Sequence, residues 1–132
     1  MSSVFTKIIN NELPAYRVFE NDQVISFLTI EPINLGHCLV VPKTEVDHWM
    51  DVSDNEYFEV YKQAKIIGKA IKSATGSTRV AQAVVGLEVA HFHLHLIPMW
   101  NPTDLDFKKS KPSQPEEMKK MQEKIISCLN NL

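Results

Sequence analysis

Apolar residues recur along the chain at two kinds of spacing, and the shorter spacing predicts strands. Alternating or continuous apolar runs of strand length occur at residues 15–20, 24–28, 39–41, 80–85 and 91–97. Asn21-Asp22 separates the first two runs and predicts a hairpin. We expect Pro42 and Pro98 to end the strands that precede them, because proline lacks the N–H group that a strand donates to its neighbour.

Spacings of three and four residues predict three helices. A short helix at residues 4–11 is stopped before Pro14. Ser53 and Glu56 form a capping box at the start of the longest helix, and Gly76 is predicted to end it. The last helix begins near Ser113 and has an apolar stripe made of Met118, Met121, Ile125, Cys128, Leu129 and Leu132.

The order of these elements predicts an α+β fold, with an antiparallel sheet of about five strands, one long central helix and a C-terminal helix. A chain of 132 residues is long enough for one domain with its own core. We expect that domain to cover residues 1–100. Residues 101–132 are then an extension, an irregular connection followed by the last helix, that packs on the same unit or on a partner.

Composition and charge exclude several classes of partner. The net charge of −2 gives the chain no overall attraction to nucleic acid or to an anionic membrane, so we expect neither as a partner. Cys38 and Cys128 lie far apart in apolar segments, which predicts reduced, buried thiols. The sequence shows no signal-peptide core and no apolar segment long enough to span a bilayer, so a cytoplasmic location is expected.

The most unusual feature of the sequence is a row of histidines in the last predicted strand. His91, His93 and His95 alternate with Phe92 and Leu94. On a strand the three imidazoles share one face, about 6.5–7 Å apart, while the apolar side chains anchor the other face in the core. Such a row predicts a site for one phosphate group or one metal ion.

The histidine row allows three interpretations. A polar face exposed to solvent fits the period but does not explain why histidine recurs. A zinc site would need a further ligand, for which only Glu88, His37 and His48 are available. Nucleophilic attack on phosphorus is the third, because a neutral imidazole is a competent nucleophile near neutral pH. Spacing alone does not separate the metal from the phosphate.

Four ordered sequence blocks resemble the histidine-triad (HIT) family of nucleotide hydrolases and transferases. Residues 91–97 match its His-φ-His-φ-His-φ-φ motif, where φ is apolar. Residues 5–14, 27–32 and 36–43 resemble the family blocks that precede this motif, in the same order. The resemblance covers about residues 4–98. The run Gly-Leu-Glu-Val at residues 86–89 is similar to that of a bacterial branch.

The resemblance implies a HIT-like fold, a homodimer, and a division of labour among the histidines. His93, the middle member of the row, is implied to be the catalytic nucleophile that forms a nucleotidyl-histidine intermediate. His37, His91 and His95 are implied to contact the phosphoryl group, with His91 also supporting the catalytic ring. No cofactor and no metal are expected.

The implied nucleoside site contains apolar and polar side chains from the first two blocks: Phe5, Ile8, Phe27, Thr29 and Ile30. Leu87 and Glu88 are expected near the scissile phosphate. Three positions depart from the family pattern. Thr29 replaces the acidic residue that commonly holds the ribose hydroxyls, and Leu87 and Glu88 replace polar side chains that face the phosphate. Ser3 and Thr6 stand where some branches have the cysteines of a structural zinc site, so no such zinc is expected.

The function implied by the resemblance is cleavage of a nucleoside monophosphate group from nucleoside phosphoramidates or dinucleoside polyphosphates. The partner is then a purine nucleotide or a related small molecule. The departures at Thr29, Leu87 and Glu88 suggest an alternative, a nucleotide-binding or regulatory module with little turnover. A zinc-dependent hydrolase is the third possibility.

Overall fold

The computed structural model describes residues 2–132 and consists of a five-stranded antiparallel sheet with helices on both faces. The sheet order is β1-β2-β3-β5-β4, and the strands are β1 (Tyr16–Glu20), β2 (Val24–Leu28), β3 (Cys38–Pro42), β4 (Arg79–Ala83) and β5 (Leu94–Met99). The helices are α1 (Val4–Ile9), α2 (Asp54–Thr75) and α3 (Pro115–Asn130). The predicted α+β fold and the β1–β2 hairpin are confirmed.

The limits of the long helix α2 follow the predicted signals with one difference. Ser53 Oγ accepts a hydrogen bond from the Glu56 N–H at 3.3 Å, and Gly76 ends the helix in the left-handed conformation, with φ of 70°. The Glu56 carboxylate does not complete the capping box. It accepts instead from the Thr44 N–H at 3.3 Å and so ties the start of α2 to the residues after β3.

The strand that contains the histidine row differs from its prediction at both ends. β5 begins at Leu94, because the Phe92 N–H donates to the Val46 carbonyl rather than to a neighbouring strand. It continues through Pro98, which pairs with Val80 of β4. The pairing between β3 and β5 ends at Leu96, so β3 needs no backbone N–H from residue 98. The prediction that Pro98 ends the strand is therefore wrong.

The two faces of the sheet pack against different helices. One face meets α2 and α3 in a core that includes Phe92, Leu94 and Leu96. The opposite face meets α1 in a second cluster made of Phe5, Ile8, Ile25, Phe27, Leu39 and Val41. The alternation in the histidine row is therefore kept, although only part of the row lies in the strand. The histidines are on the α1 side of the sheet.

Helix α3 packs within the chain rather than presenting its apolar stripe to a partner. Met118 and Ile125 are buried in the core between α3, α2 and β1. Gln122 also donates from Nε2 to the Arg17 carbonyl at 2.8 Å. The stripe therefore gives no reason to expect a dimer. Within residues 2–132 no helix combines the length and the apolarity needed to cross a membrane.

Candidate active site

His93 is held by a backbone carbonyl in one defined tautomer. Its Nδ1 lies 2.7 Å from the carbonyl oxygen of His91, and since a carbonyl can only accept, Nδ1 carries the hydrogen. In the neutral ring, Nε2 then has a free lone pair. Burial is the main cause that lowers the pKa of His93. The hydrogen bond to the His91 carbonyl and the charge of Glu88 act in the opposite direction, while the neighbouring His91 ring also lowers this pKa. The ring is therefore neutral at physiological pH, with the lone pair of Nε2 available.

His37 and His95 form a second, directional pair. The Ile33 N–H donates to Nδ1 of His37 at 3.1 Å, so the hydrogen of the neutral His37 ring is on Nε2. That Nε2 donates to Nδ1 of His95 at 2.9 Å, which places the remaining hydrogen on Nε2 of His95. Burial lowers the pKa of His37 to about 3 and that of His95 to about 4, with further lowering by neighbouring histidines. The pair therefore offers a neutral N–H donor beside His93.

His91 is a buried support behind the site. Its Nε2 donates to the Pro42 carbonyl at 2.8 Å, and its Nδ1 accepts from the Ser3 hydroxyl at 2.8 Å. Both ring nitrogens are thus engaged and the ring is fully buried, so the predicted contact between His91 and the phosphoryl group is not available in this geometry. The predicted support of the His93 ring by His91 does fit, because the His91 carbonyl accepts from Nδ1 of His93.

The N-terminal segment and the residues after β3 complete this support. Glu45 Oε1 accepts from the Ser3 N–H at 2.7 Å and from the Thr6 hydroxyl at 2.6 Å. Ser3 Oγ also accepts from the Thr6 N–H at 3.0 Å, which caps α1. We call Ser3, Thr6, Glu45 and His91 the support cluster. It connects the start of the chain to the carbonyl that orients His93.

A cavity of about 390 Å³ lies in front of His93. It is lined by Phe5, Thr29, Glu31, His37, Leu39, Val85, Gly86, Leu87, Glu88, Val89, His93, His95, Phe107 and Ser110. The predicted residues that meet here are Phe5, Thr29, His37, Leu87, Glu88, His93 and His95. A volume of this size is within the usual range for small-molecule sites.

Three predicted nucleoside-binding residues do not line the cavity. Ile8 and Phe27 are buried in the cluster behind Phe5, where the Phe27 ring packs 5.7 Å from that of Phe5. They support the wall without forming it. Ile30 has 68% of its surface exposed and lies outside the cavity. Their direct contact with a nucleoside is therefore not supported, because burial or orientation removes each of them from the cavity surface.

Sequence reasoning missed residues that come from loops. Phe107 and Ser110 belong to the segment interpreted as an irregular connection, yet both line the cavity. The Phe107 ring lies 4.9 Å from the His95 ring at an interplanar angle of 72°. The only signal in the sequence was one aromatic residue in an otherwise polar segment. Glu31, from the end of a family-like block, was also missed.

The charges around the cavity are negative. Glu31 and Glu88 line it, and none of its lining residues, all in the described part of the chain, is Lys or Arg. Leu87 is 91% exposed, so it covers little of the site in the isolated chain. Thr29 Oγ1 accepts from the Glu31 N–H at 3.4 Å. Across residues 2–132, no three His, Cys, Asp or Glu side chains are grouped so as to hold a metal ion.

Comparisons with known proteins lead to one family. The model of the HIT domain matches residues 10–101. A HIT-like protein of Borreliella burgdorferi is 38% identical over 80% of this chain and 81% of its own. A Schizosaccharomyces pombe protein named adenosine 5'-monophosphoramidase is 31% identical over 96% of this chain and 98% of its own. The crystal structure of a HIT-like protein involved in cell-cycle regulation from Bartonella henselae has a TM-score of 0.86, with 30% identity and 96% of both chains covered.

Proposed function

The chain belongs to the histidine-triad (HIT) family, and we propose that it cleaves a nucleoside monophosphate group from a nucleotide substrate through a covalent intermediate on His93. The observation that carries the proposal is the 2.7 Å hydrogen bond from Nδ1 of His93 to the His91 carbonyl. It leaves the lone pair of Nε2 on a ring that lines the cavity. A surface histidine with two solvated nitrogens has no such fixed tautomer.

The reaction takes place in two displacements. Nε2 of His93 forms a bond to phosphorus while the bond from phosphorus to the leaving group breaks, and the leaving group departs with the electron pair and takes up a proton from solvent. Water then attacks phosphorus and gives up a proton to solvent, the electron pair of the breaking N–P bond returns to Nε2, and the nucleoside monophosphate is released with the imidazole neutral again. The N–H on Nε2 of His95 donates to a non-bridging oxygen and stabilises its charge in both transition states.

The charges favour a phosphoramidate over a dinucleoside polyphosphate as substrate. A phosphoramidate brings one negative charge and an amine leaving group. A polyphosphate brings several negative charges to a cavity that is lined by Glu31 and Glu88 and, among the described residues, by no Lys or Arg. The name of the Schizosaccharomyces pombe relative, an adenosine 5'-monophosphoramidase, supports the same choice.

The nucleoside occupies the apolar part of the cavity in this proposal. Phe5 and Leu39 provide the surface for a purine base, and Thr29 contacts the ribose. Threonine offers one hydroxyl where a carboxylate would hold both ribose hydroxyls, so we expect weak discrimination between ribose and deoxyribose. The assignment to the bacterial branch stays a prediction.

The test is a panel of substrates incubated with the wild type and with matched histidine variants. Adenosine phosphoramidate, diadenosine polyphosphates and adenylyl sulfate are compared by release of AMP. We expect the phosphoramidate to have the highest kcat/KM, and His93→Ala to abolish turnover, a loss of several orders of magnitude. His48→Ala is the control, because His48 is an exposed histidine outside the cavity. Normal turnover by His93→Ala would overturn the proposal.

Glu88 favours a second function, a nucleotide-binding module with little turnover. This carboxylate lines the cavity near His93 and repels a phosphoryl group that approaches the nucleophile. Calorimetry with AMP or a phosphoramidate that shows tight binding without any product would support this function. Glu88→Gln should then increase turnover, whereas it should change little if the carboxylate points away from the bound phosphate.

A homodimer and a cytoplasmic location remain proposals. β4 is an edge strand, and beyond it Val84, Val85 and Leu87 expose 37%, 48% and 91% of their surface. Strand pairing with a second copy would satisfy the edge and cover these residues. Sedimentation at micromolar concentration decides between monomer and dimer, and a Val85→Lys variant should shift the protein to the monomer. Cell fractionation tests the location.

A further inference from the structure

The connection between β5 and α3 supplies an aromatic cover for the His37–His95 pair. The Phe107 ring packs edge-to-face on His95 at 4.9 Å and on His37 at 6.4 Å between ring centroids. Phe107 itself is 39% exposed, while His37 is almost completely buried. The aromatic ring therefore covers one side of the histidine pair, while His95, which is partly exposed, also faces the cavity.

The position of Phe107 is fixed by its own segment and by the loop that holds His37. Asp106 caps the short 3-10 turn at Phe107–Lys109, because its Oδ1 accepts from the Lys108 N–H at 2.9 Å. The Lys111 N–H then donates to the carbonyl of Pro32 at 3.3 Å. Pro32 precedes Ile33, whose N–H orients His37. The cover and the pair that it protects are thus anchored to the same loop.

We propose that Phe107 is a positioning residue that excludes water from the His37–His95 pair and thereby keeps both rings neutral, with the hydrogen of His95 on Nε2. The inference rests on the proposed function, in which that hydrogen faces the phosphoryl group. Phe107 would act through the histidines. It would not need to touch the reacting atoms.

The geometry explains why neutrality matters. A proton added to Nδ1 of His37 would face the Ile33 N–H, and a proton added to Nδ1 of His95 would face the Nε2–H of His37. Either protonation breaks a hydrogen bond that fixes the donor. The directional relay therefore exists only in the neutral pair.

The neutrality of the pair depends on burial, to which the cover contributes. The titratable groups that line the cavity beside the pair are Glu31, Glu88 and His93. Of these, His93 lowers the pKa of both His37 and His95. Burial is the largest cause of the low pKa of both His37 and His95. Removing the aromatic ring admits water and weakens that cause, so the pKa of both rings should rise.

The test compares Phe107→Ala and Phe107→Leu with the wild type and with Phe58→Ala. Leucine keeps an apolar cover, and Phe58 is an exposed aromatic residue that does not line the cavity. The protonation of each imidazole is followed by ¹⁵N NMR across an acid titration, and the pH profile of kcat/KM is measured with a phosphoramidate. The ring signal of the exposed His48 is an internal control.

We expect Phe107→Ala to move the titration midpoint of His95 upward by about one pH unit, and the acid limb of kcat/KM to move with it. The titration midpoints in Phe107→Leu should move less than those in Phe107→Ala, and the midpoints in Phe58→Ala should stay close to those of the wild type. Unchanged midpoints in Phe107→Ala, an equal shift in Phe58→Ala, or a loss of activity at every pH without a shift would each overturn the proposal.

Two further outcomes are covered by the same design. If Phe107→Ala does not fold, the smaller truncation Phe107→Val is measured instead, and the midpoint should lie between those of the wild type and the ordinary imidazole. If the wild type releases no AMP from any substrate, the proposed function fails, but the NMR titration still decides whether Phe107 keeps the pair neutral.

Discussion

The support cluster makes a strong prediction for the substitution Ser3→Ala. The Ser3 hydroxyl donates to Nδ1 of the fully buried His91 and accepts from the Thr6 N–H. Alanine removes both bonds. The lost helix cap costs about 0.5–2 kcal/mol. Nδ1 of His91 then has only the Thr6 hydroxyl nearby, at 3.5 Å, and that hydroxyl already donates to Glu45. A buried acceptor without a donor costs about 1–3 kcal/mol. We therefore expect the free energy of unfolding to fall by about 2–4 kcal/mol, a large part of the stability of a small domain.

The assay is equilibrium unfolding in urea, with Ser2→Ala and Ser3→Thr as matched variants. Ser2 is an exposed serine next in the chain, so its loss should have little effect. Threonine keeps a hydroxyl at position 3 and should restore most of the stability. A midpoint lowered by about 1–2 M urea in Ser3→Ala alone is the expected result.

The same variant has a catalytic consequence. His91 provides the carbonyl that orients His93, so a shift of the His91 ring displaces the nucleophile. We expect kcat with a phosphoramidate to fall about ten- to hundredfold while KM changes little. A loss of less than about 0.5 kcal/mol of stability in Ser3→Ala, or an equal loss in Ser2→Ala, would contradict this role of Ser3.

Three other predictions concern acid, backbone conformation and metal. The pKa values of His37 and His95 are lowered from 6.5, so the unfolded chain binds protons first, and the stability present above about pH 6.5 is lost as the pH falls toward 4. In urea unfolding, the free energy of unfolding should fall by up to about 2 kcal/mol per ring between pH 6.5 and pH 5. A free energy of unfolding that does not change over this range would contradict the prediction. Gly36→Ala should lower the free energy of unfolding by about 1–3 kcal/mol, because φ at Gly36 is 107° and the new Cβ would lie 2.7 Å from the Thr75 side chain. Gly68 has open space around it, so Gly68→Ala is the control and should not destabilise the fold. Chelator-treated protein should keep its turnover; elemental analysis that finds stoichiometric zinc, together with loss of activity in chelator, would refute the phosphoryl-transfer interpretation.

The sequence predicted the elements of the fold better than their limits. Periodicity reports which side of an element is apolar, and so it placed Phe92, Leu94 and Leu96 correctly in the core. The start of β5 depends instead on which carbonyl receives the Phe92 N–H, and that partner, Val46, is distant in the sequence. Pro98 remains inside β5 because β3, the strand on the side opposite β4, no longer pairs with β5 at that point. Such limits follow from tertiary pairing and have no local signal.

For the candidate site, the resemblance indicated which histidines lie near one another, but the phosphoryl contact that it implied for His91 does not fit the structure. His37, His93 and His95 line one cavity, whereas His91 does not. Phe107 was missed because its segment has no periodicity, and only its tertiary contact with His95 reveals it. The residues predicted to bind the nucleoside were mostly apolar positions of the first two family-like blocks, and apolar positions occur in a buried supporting layer as well as in a cavity wall.

The roles of the three alternating histidines follow from their partners rather than from their spacing. The Pro42 carbonyl and the Ser3 hydroxyl use both nitrogens of His91, which makes it a support. A single carbonyl uses one nitrogen of His93 and leaves a lone pair. A donor from His37 uses one nitrogen of His95 and leaves an N–H. Identical side chains therefore differ in what they can offer, namely nothing, a lone pair or an N–H, because each neutral imidazole has one donor and one acceptor, and the fold decides which of them remains free.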